Sequence, residues 1–271
     1  MSDKPQTLPR VRVFGYRLRS GRKQGTGASE SELRHMHEKS NRASKGGIGV
    51  LVVPEKFNRN NPAIRAMGSP ADTGSALIKY MCDRIGVANL AGLDLLDLGC
   101  GSRFAEAIIN RNIQLNSYVG IDVYKEMIDF LSEEIDDPRL HFFHIDTRNL
   151  QYNRAGVPLT DHTILPIGGK RFDVICMYSV ITHQLPNDAG ALFKILRRHV
   201  REDGHLFFSA AVEEGNFGYR EQFPDAPTGL SVYSLDLLTQ LLDAAQWRVL
   251  SFAKRVPGGL PNQETILCAP I

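Results

Sequence analysis

Long apolar runs are missing from this 271-residue chain. No stretch approaches the ~20 residues needed to span a bilayer. The first ten residues are polar and hold two prolines, which predicts no secretory leader. Cysteine is scarce: Cys82, Cys100, Cys176 and Cys268 are scattered, and no pair has the spacing of metal ligands. Reduced thiols packed as small hydrophobes, a cytoplasmic location and no metal site are therefore expected. Internal repeats and low-complexity tracts are also lacking. What remains is 42% hydrophobic and 23% charged, the balance of a globular protein with a sizeable core.

Net charge is small, +2, but unevenly spread. Residues 1–70 hold 14 Lys or Arg against 5 Asp or Glu, a net +9. The other 201 residues hold 18 against 25, a net −7. The basic segment is either an arm for an anionic partner or a solvated extension. Its charges are interspersed with Gly, Ser and Asn, without the aromatic interleaving that stacks on bases. The chain therefore divides at residue 70, with a basic, partly irregular extension (1–69) before a larger α/β domain (70–271).

Within the extension, residues 11–14 alternate, residues 29–40 carry helix caps, and residues 48–53 read as a short strand. Residues 57–68 contain Asn and Arg suited to polar contacts and lead directly into the next helix, so they are expected to fold over a ligand. Residues 70–85 have the helical period, with Ala76, Leu77, Tyr80, Met81 and Ile85 on one face.

The most informative stretch follows: Leu95-Leu96-Asp97-Leu98-Gly99-Cys100-Gly101. An apolar strand enters a glycine turn, and helical periodicity resumes at Ala105, Ala107, Ile108 and Ile109. Strand, glycine turn and helix bring bare backbone against a nucleotide-like ligand. Residues 117–121 form a second strand ending at Asp122, where a carboxylate can accept both hydrogen bonds of a ribose diol. A third, residues 140–145, ends at Asp146. A fourth, residues 172–177, ends at Tyr178-Ser179. Polar residues at four carboxyl ends mark the ligand edge of an open α/β sheet. A helix at 188–201, a strand at 205–210, a helix from Ser234 to Ala245 and strands at 247–253 and 264–268 complete the pattern. The prolines and glycines of 257–261 make the last pair a wide hairpin.

A nicotinamide cofactor does not fit. Phe104 stands where that fingerprint wants its third glycine. Asp97 lies inside the first strand, where a buried carboxylate needs a polar partner: the amides of the glycine turn, or a ligand's ammonium group through water.

Residues 95–101, with Asp122, Asp146 and Met177-Tyr178-Ser179-Val180-Ile181-Thr182-His183, resemble the class I S-adenosylmethionine-dependent methyltransferases. The resemblance covers residues 93–268. It implies a Rossmann-like, doubly wound, mostly parallel seven-stranded sheet with a C-terminal antiparallel hairpin. It implies S-adenosyl-L-methionine as cofactor, with Asp97, Gly99, Cys100 and Gly101 at its methionine part. Asp122 and Val123 would lie at the ribose, Asp146 and Thr147 at the adenine, and the backbone of Tyr178 and Ser179 at the ammonium group. The family's motif often has a third glycine where this chain has Arg103.

Methyl transfer chiefly needs alignment, which supplies about 7–11 kcal/mol, and a hydroxyl nucleophile also needs a base. His183, just past the fourth strand, is the candidate base; the other role for it is to bind a neighbouring loop. His162 is a weaker competitor, and His144, flanked by Phe143 and Ile145, reads as structural. Tyr219, Arg220 and Phe223 either line an acceptor site or pack within a lid.

The favoured acceptor is a small-molecule hydroxyl of a sugar, lipid or natural product. The alternatives are RNA, or a non-catalytic cofactor-binding relative. The Asn/Asp-Pro-Pro-aromatic signature of base-amine methylation and a Pro-Cys nucleophile are both missing.

Overall fold

The computed structural model describes residues 50–59, 62–215, 217–254 and 263–271. The basic stretch 1–49, with its patch at 11–14 and helix at 29–40, lies outside the described residues. So does the 257–261 turn.

A 3₁₀ turn at Glu55–Phe57 and a helical turn, α1 (Pro62–Arg65), lead to α2 (Pro70–Ile85). Ser69 caps α2 by accepting from the Asp72 amide, Pro70 presets its first turn, and Gly86 closes it at φ +88°. Then come β1 (Asp94–Leu98), α3 (Arg103–Asn110), β2 (Ser117–Asp122), α4 (Lys125–Glu134) and β3 (Leu140–His144). β4 (Phe172–Met177), a 3₁₀ turn at Ile181–His183, α5 (Pro186–Arg197) and β5 (Val200–Glu213) follow. The chain continues through β6 (Tyr219–Glu221), β7 (Ser231–Ser234), α6 (Leu235–Ala244), β8 (Trp247–Lys254) and β9 (Gln263–Pro270).

The expected seven-stranded frame is present as β3-β2-β1-β4-β5-β9-β8, with β9 and β8 antiparallel. The sheet has nine strands because β7 pairs in parallel with the far end of β5, and β6 pairs with β7. Both come from the stretch between the strand expected at 205–210 and the helix expected from Ser234, where no strand was expected.

Every residue of β1 and β2 is buried, as in parallel strands covered on both faces. One apolar layer joins α2, α3 and α4 through Leu77, Met81, Phe104, Ile108, Met127 and Leu131. The other joins α5 and α6 through Phe193, Leu196, Leu238, Leu242 and Trp247, whose indole N–H donates to the Phe193 carbonyl at 2.9 Å.

Residues 50–53 do not form the expected strand. The Leu51 N–H donates to Asn110 Oδ1 at 2.7 Å, and Asn110 Nδ2 donates to the Leu51 carbonyl at 2.9 Å. A side-chain amide thus satisfies the backbone that a neighbouring strand would have paired. Helix α5 ends at Arg197, four residues early, because Val200 already pairs with Phe172 in the sheet.

Helices α2 and α3 touch at Gly74. A Cβ there would lie 2.6 Å from the Arg103 carbonyl oxygen and 2.9 Å from Ala107 Cβ. Gly74→Val should cost about 1–3 kcal/mol by overpacking. Denaturant unfolding would show it as a lower midpoint at unchanged slope.

Candidate active site

The turn after β1 is built on two left-handed glycines, Gly99 (φ +72°) and Gly101 (φ +54°). A Cβ on Gly99 would come within 2.4 Å of Val180 Cγ2, so the turn lies pressed against the segment after β4. The Gly99 and Cys100 amides both donate to the Ile121 carbonyl, at 2.7 and 3.2 Å. Arg103, at the place of a third glycine, is the first residue of α3 and needs no left-handed backbone. Cys100 turns its thiol inward over Gly120, where a Cβ would meet Sγ at 3.0 Å. Burial pushes that thiol well above its ordinary pKa.

Asp122 closes β2 with 1% of its side chain exposed. Its Oδ2 accepts from the Gly101 amide at 3.0 Å and from Arg59 Nη2 at 2.6 Å. Its Oδ1 accepts from the Tyr124 amide at 3.0 Å and from Arg59 Nη1 at 3.4 Å. Val123 follows, partly buried. Asp146 is exposed beyond β3 and accepts from Asn153 Nδ2 at 2.8 Å, while Thr147 bridges to Val157. These pairings hold the 147–170 connection against the sheet edge.

Asp97 departs from expectation: its recorded partners lie in the sheet, not among the glycine amides. The Tyr118 hydroxyl donates to Oδ2 at 2.9 Å and the Cys176 thiol to Oδ1 at 3.5 Å. Gly120 sits opposite Asp97 and leaves room for the Tyr118 ring. Burial raises the Asp97 carboxyl to about 7, against the Tyr118 and Cys176 bonds. Glu106, which sequence reasoning passed over as a helix residue, is also buried, accepts from Ser102 Oγ at 2.9 Å, and is raised to about 7 by burial. Only its position beside a glycine turn hinted at it.

Tyr178 points its ring at Phe104 and Phe207 and donates to the Leu77 carbonyl at 3.1 Å, leaving its backbone at the cleft. Ser179 is left-handed (φ +55°), a strained position for a residue with a Cβ. Its amide donates to Ser209 Oγ at 2.8 Å, and Gln263 Nε2 donates to its Oγ at 2.9 Å.

Two segments converge on His183. Its Nδ1 lies 2.9 Å from the Thr228 carbonyl oxygen, in the β6–β7 connection. Gln151 Nε2, from the β3–β4 connection, donates to the same oxygen at 2.9 Å and approaches Nδ1 at 3.1 Å. In the tautomer that donates Nδ1–H to the Thr228 carbonyl, the neutral ring keeps its lone pair on Nε2. Burial lowers the His183 pKa below its ordinary value; the Thr228 bond opposes this and the Arg59 cation adds to it. Thr182 and Thr228 lie alongside in sequence and contact, their hydroxyl oxygens buried without a hydrogen-bond partner.

His162 is on the surface beside Asp161, and His144 is partly buried at the end of edge strand β3. Tyr219 donates to Glu221 at 2.7 Å and meets the Tyr233 ring edge-to-face, and Arg220 pairs with Glu213. Both are committed to packing around β6 and β7, whereas Phe223 is exposed.

A left-handed glycine turn and a buried acid at the β2 end lie at the carboxyl ends of the parallel strands, as does the histidine past β4. Residues 73–251 match the methyltransferase domain family, and the chain belongs to it. It is an enzyme of the methyltransferase class.

Solved structures share the fold at low identity. A glycopeptide N-methyltransferase, MtfA, complexed with S-adenosyl-L-homocysteine, is 12% identical over 87% of this chain and 98% of that one (TM-score 0.53). A methyltransferase in complex with the Trm112 activator of Haloferax volcanii is 14% identical over 77% and 93% (TM-score 0.52). An S-adenosylmethionine-dependent methyltransferase of Mesorhizobium loti is 14% identical over 71% and 97% (TM-score 0.50). Among the described residues, no helix is long and apolar enough to cross a membrane.

A carboxyl raised to about 7 binds its proton in the folded state at pH values where the unfolded chain has lost it. Stability should therefore fall as pH rises from about 4 to 7 and level off above. Asp97→Asn removes this term. Its stability relative to wild type should rise by roughly 2–3 kcal/mol between pH 5 and 7.5, read from denaturant midpoints at both values.

Proposed function

We propose that this methyltransferase uses S-adenosyl-L-methionine to methylate a small-molecule hydroxyl, with His183 as general base. The observation that carries the reading is the place of His183, just past β4 with Nδ1 2.9 Å from the Thr228 carbonyl oxygen. With the Nδ1 proton given to that oxygen, Nε2 is the atom able to take a proton. A pKa below the ordinary histidine value keeps the ring neutral at pH 7.

The donor set suits this cofactor. Gly99 and Gly101 expose backbone, Asp122 offers a buried carboxylate for a ribose diol, and Asp146 lies at the next strand end for the adenine amine. When bound, the cofactor supplies a methyl group on a positively charged sulfur. The backbone of Tyr178 and Ser179 is suited to hold its ammonium group, and the Ser209 and Gln263 bonds fix that backbone. Asp97, bonded within the sheet, braces β1 under the turn and acts on the ligand only through it. Gln151 and Thr228 orient the imidazole, and the connections that carry them screen the reacting oxygen from water. Four buried cysteines, all free, support a reducing, cytoplasmic setting. The division at residue 70 is proposed as the start of the methyltransferase domain, with residues 57–68 of the basic extension as a lid that reaches the site through Arg59.

His183→Ala should lower turnover about 10²–10⁴-fold, with cofactor affinity nearly unchanged. Wild-type kcat/KM should be flat at alkaline pH and fall as pH drops through a histidine value below its ordinary one. A screen of hydroxyl acceptors with labelled cofactor gives both readouts. Full turnover by the variant on the true acceptor would remove the base and leave alignment as the source of rate.

A further inference from the structure

Asp122 is saturated. A carboxylate has about four lone-pair sites, and Asp122 receives four donors: the Gly101 and Tyr124 amides and both terminal nitrogens of Arg59. The two amides are fixed by the glycine turn and by the start of α4. The guanidinium, which supplies two of the four, can leave without unfolding either element. A Cβ on Gly101 would lie 3.2 Å from Arg59 Nη2, so the cation stands directly on the bare face of the turn.

We propose that Arg59 is an internal competitor for nucleoside ligands, occupying the ribose place on Asp122 and leaving it when a ligand binds. The proposal rests on the reading of Asp122 as the ribose-holding acid.

The surroundings suit an exchange by the side chain alone. The loop that carries Arg59 is pinned on both sides. Phe57 is buried against Tyr124 and Phe130. Arg65 bonds Glu55 through Nη1 and donates to the Asn58 carbonyl at 2.7 Å. The Arg59 side chain is 22% exposed, so water reaches it. Its guanidinium already lies 4.6 Å from the centre of the Tyr152 ring, a surface on which it can rest without a carboxylate. The free enzyme thereby avoids a bare buried charge at the centre of its cleft. Ligand affinity is lowered by the free energy of breaking the pair.

The test uses the full-length chain, S-adenosyl-L-homocysteine as probe, and two variants, Arg59→Met and Asp122→Asn. Calorimetry should find roughly tenfold tighter binding by Arg59→Met, the loss of one charge-assisted competitor. The ligand-free variant should also melt below wild type, because Asp122 has lost its partner. Unchanged or weaker binding by Arg59→Met overturns the proposal. Asp122→Asn separates this failure from that of the underlying reading. Wild-type affinity in Asp122→Asn would remove the ribose role. Weakened affinity there, with no gain in Arg59→Met, would leave the ribose role standing and dismiss Arg59 alone.

Discussion

Asp122 carries its charge in a place where an unpaired carboxylate would cost several kcal/mol, and the cleft is organised around meeting that cost. The amide of Gly101 fixes the glycine turn to β2, and the amide of Tyr124 fixes the start of α4 to the same group. Arg59 brings in a segment far away in sequence, anchored by Phe57 on α4. Three separate pieces of chain are thus held by one side chain at the carboxyl edge of a parallel sheet. The geometry of that edge follows from electrostatics as much as from packing.

Two further buried carboxyls flank the turn, and they differ from Asp122 in one respect. Asp97 and Glu106 are raised toward neutrality by burial, with hydroxyl or thiol donors only. Asp122 has a cation and two amides. Of the three, Asp122 is the one bonded to a cation. His183 completes the pattern from the other side, held neutral by burial and oriented by a backbone carbonyl.

Local pattern was enough to read the frame. β4 falls on its expected residues, and α2 begins at Ser69-Pro70 and ends at Gly86, because capping chemistry and period are written in adjacent positions. The acids at 122 and 146 could be placed from their strands alone. What escaped depends on partners distant in sequence. β6 is three half-buried residues with no alternation to betray it, and exists only because β7 lies on β5. The Leu51 clamp needs Asn110, 59 residues on. The partner of Asp97 is set by strand register, which puts Gly120 opposite and Tyr118 within reach. Residues 57–68 could be expected over the ligand, but not that Arg59 would reach Asp122. Gln151 and Thr228 meet His183 from two connections whose course no periodicity records.

The missing third glycine has a counterpart elsewhere. Here Arg103 starts the helix with a full side chain, and the neighbouring helix gives way at Gly74, whose bare Cα admits the Arg103 carbonyl. The requirement is for one short distance between two backbones, and either partner can supply the small residue. A fingerprint written along a single stretch of chain records half of such a pair. Chains that moved the gap across the contact will fail the pattern while keeping the site.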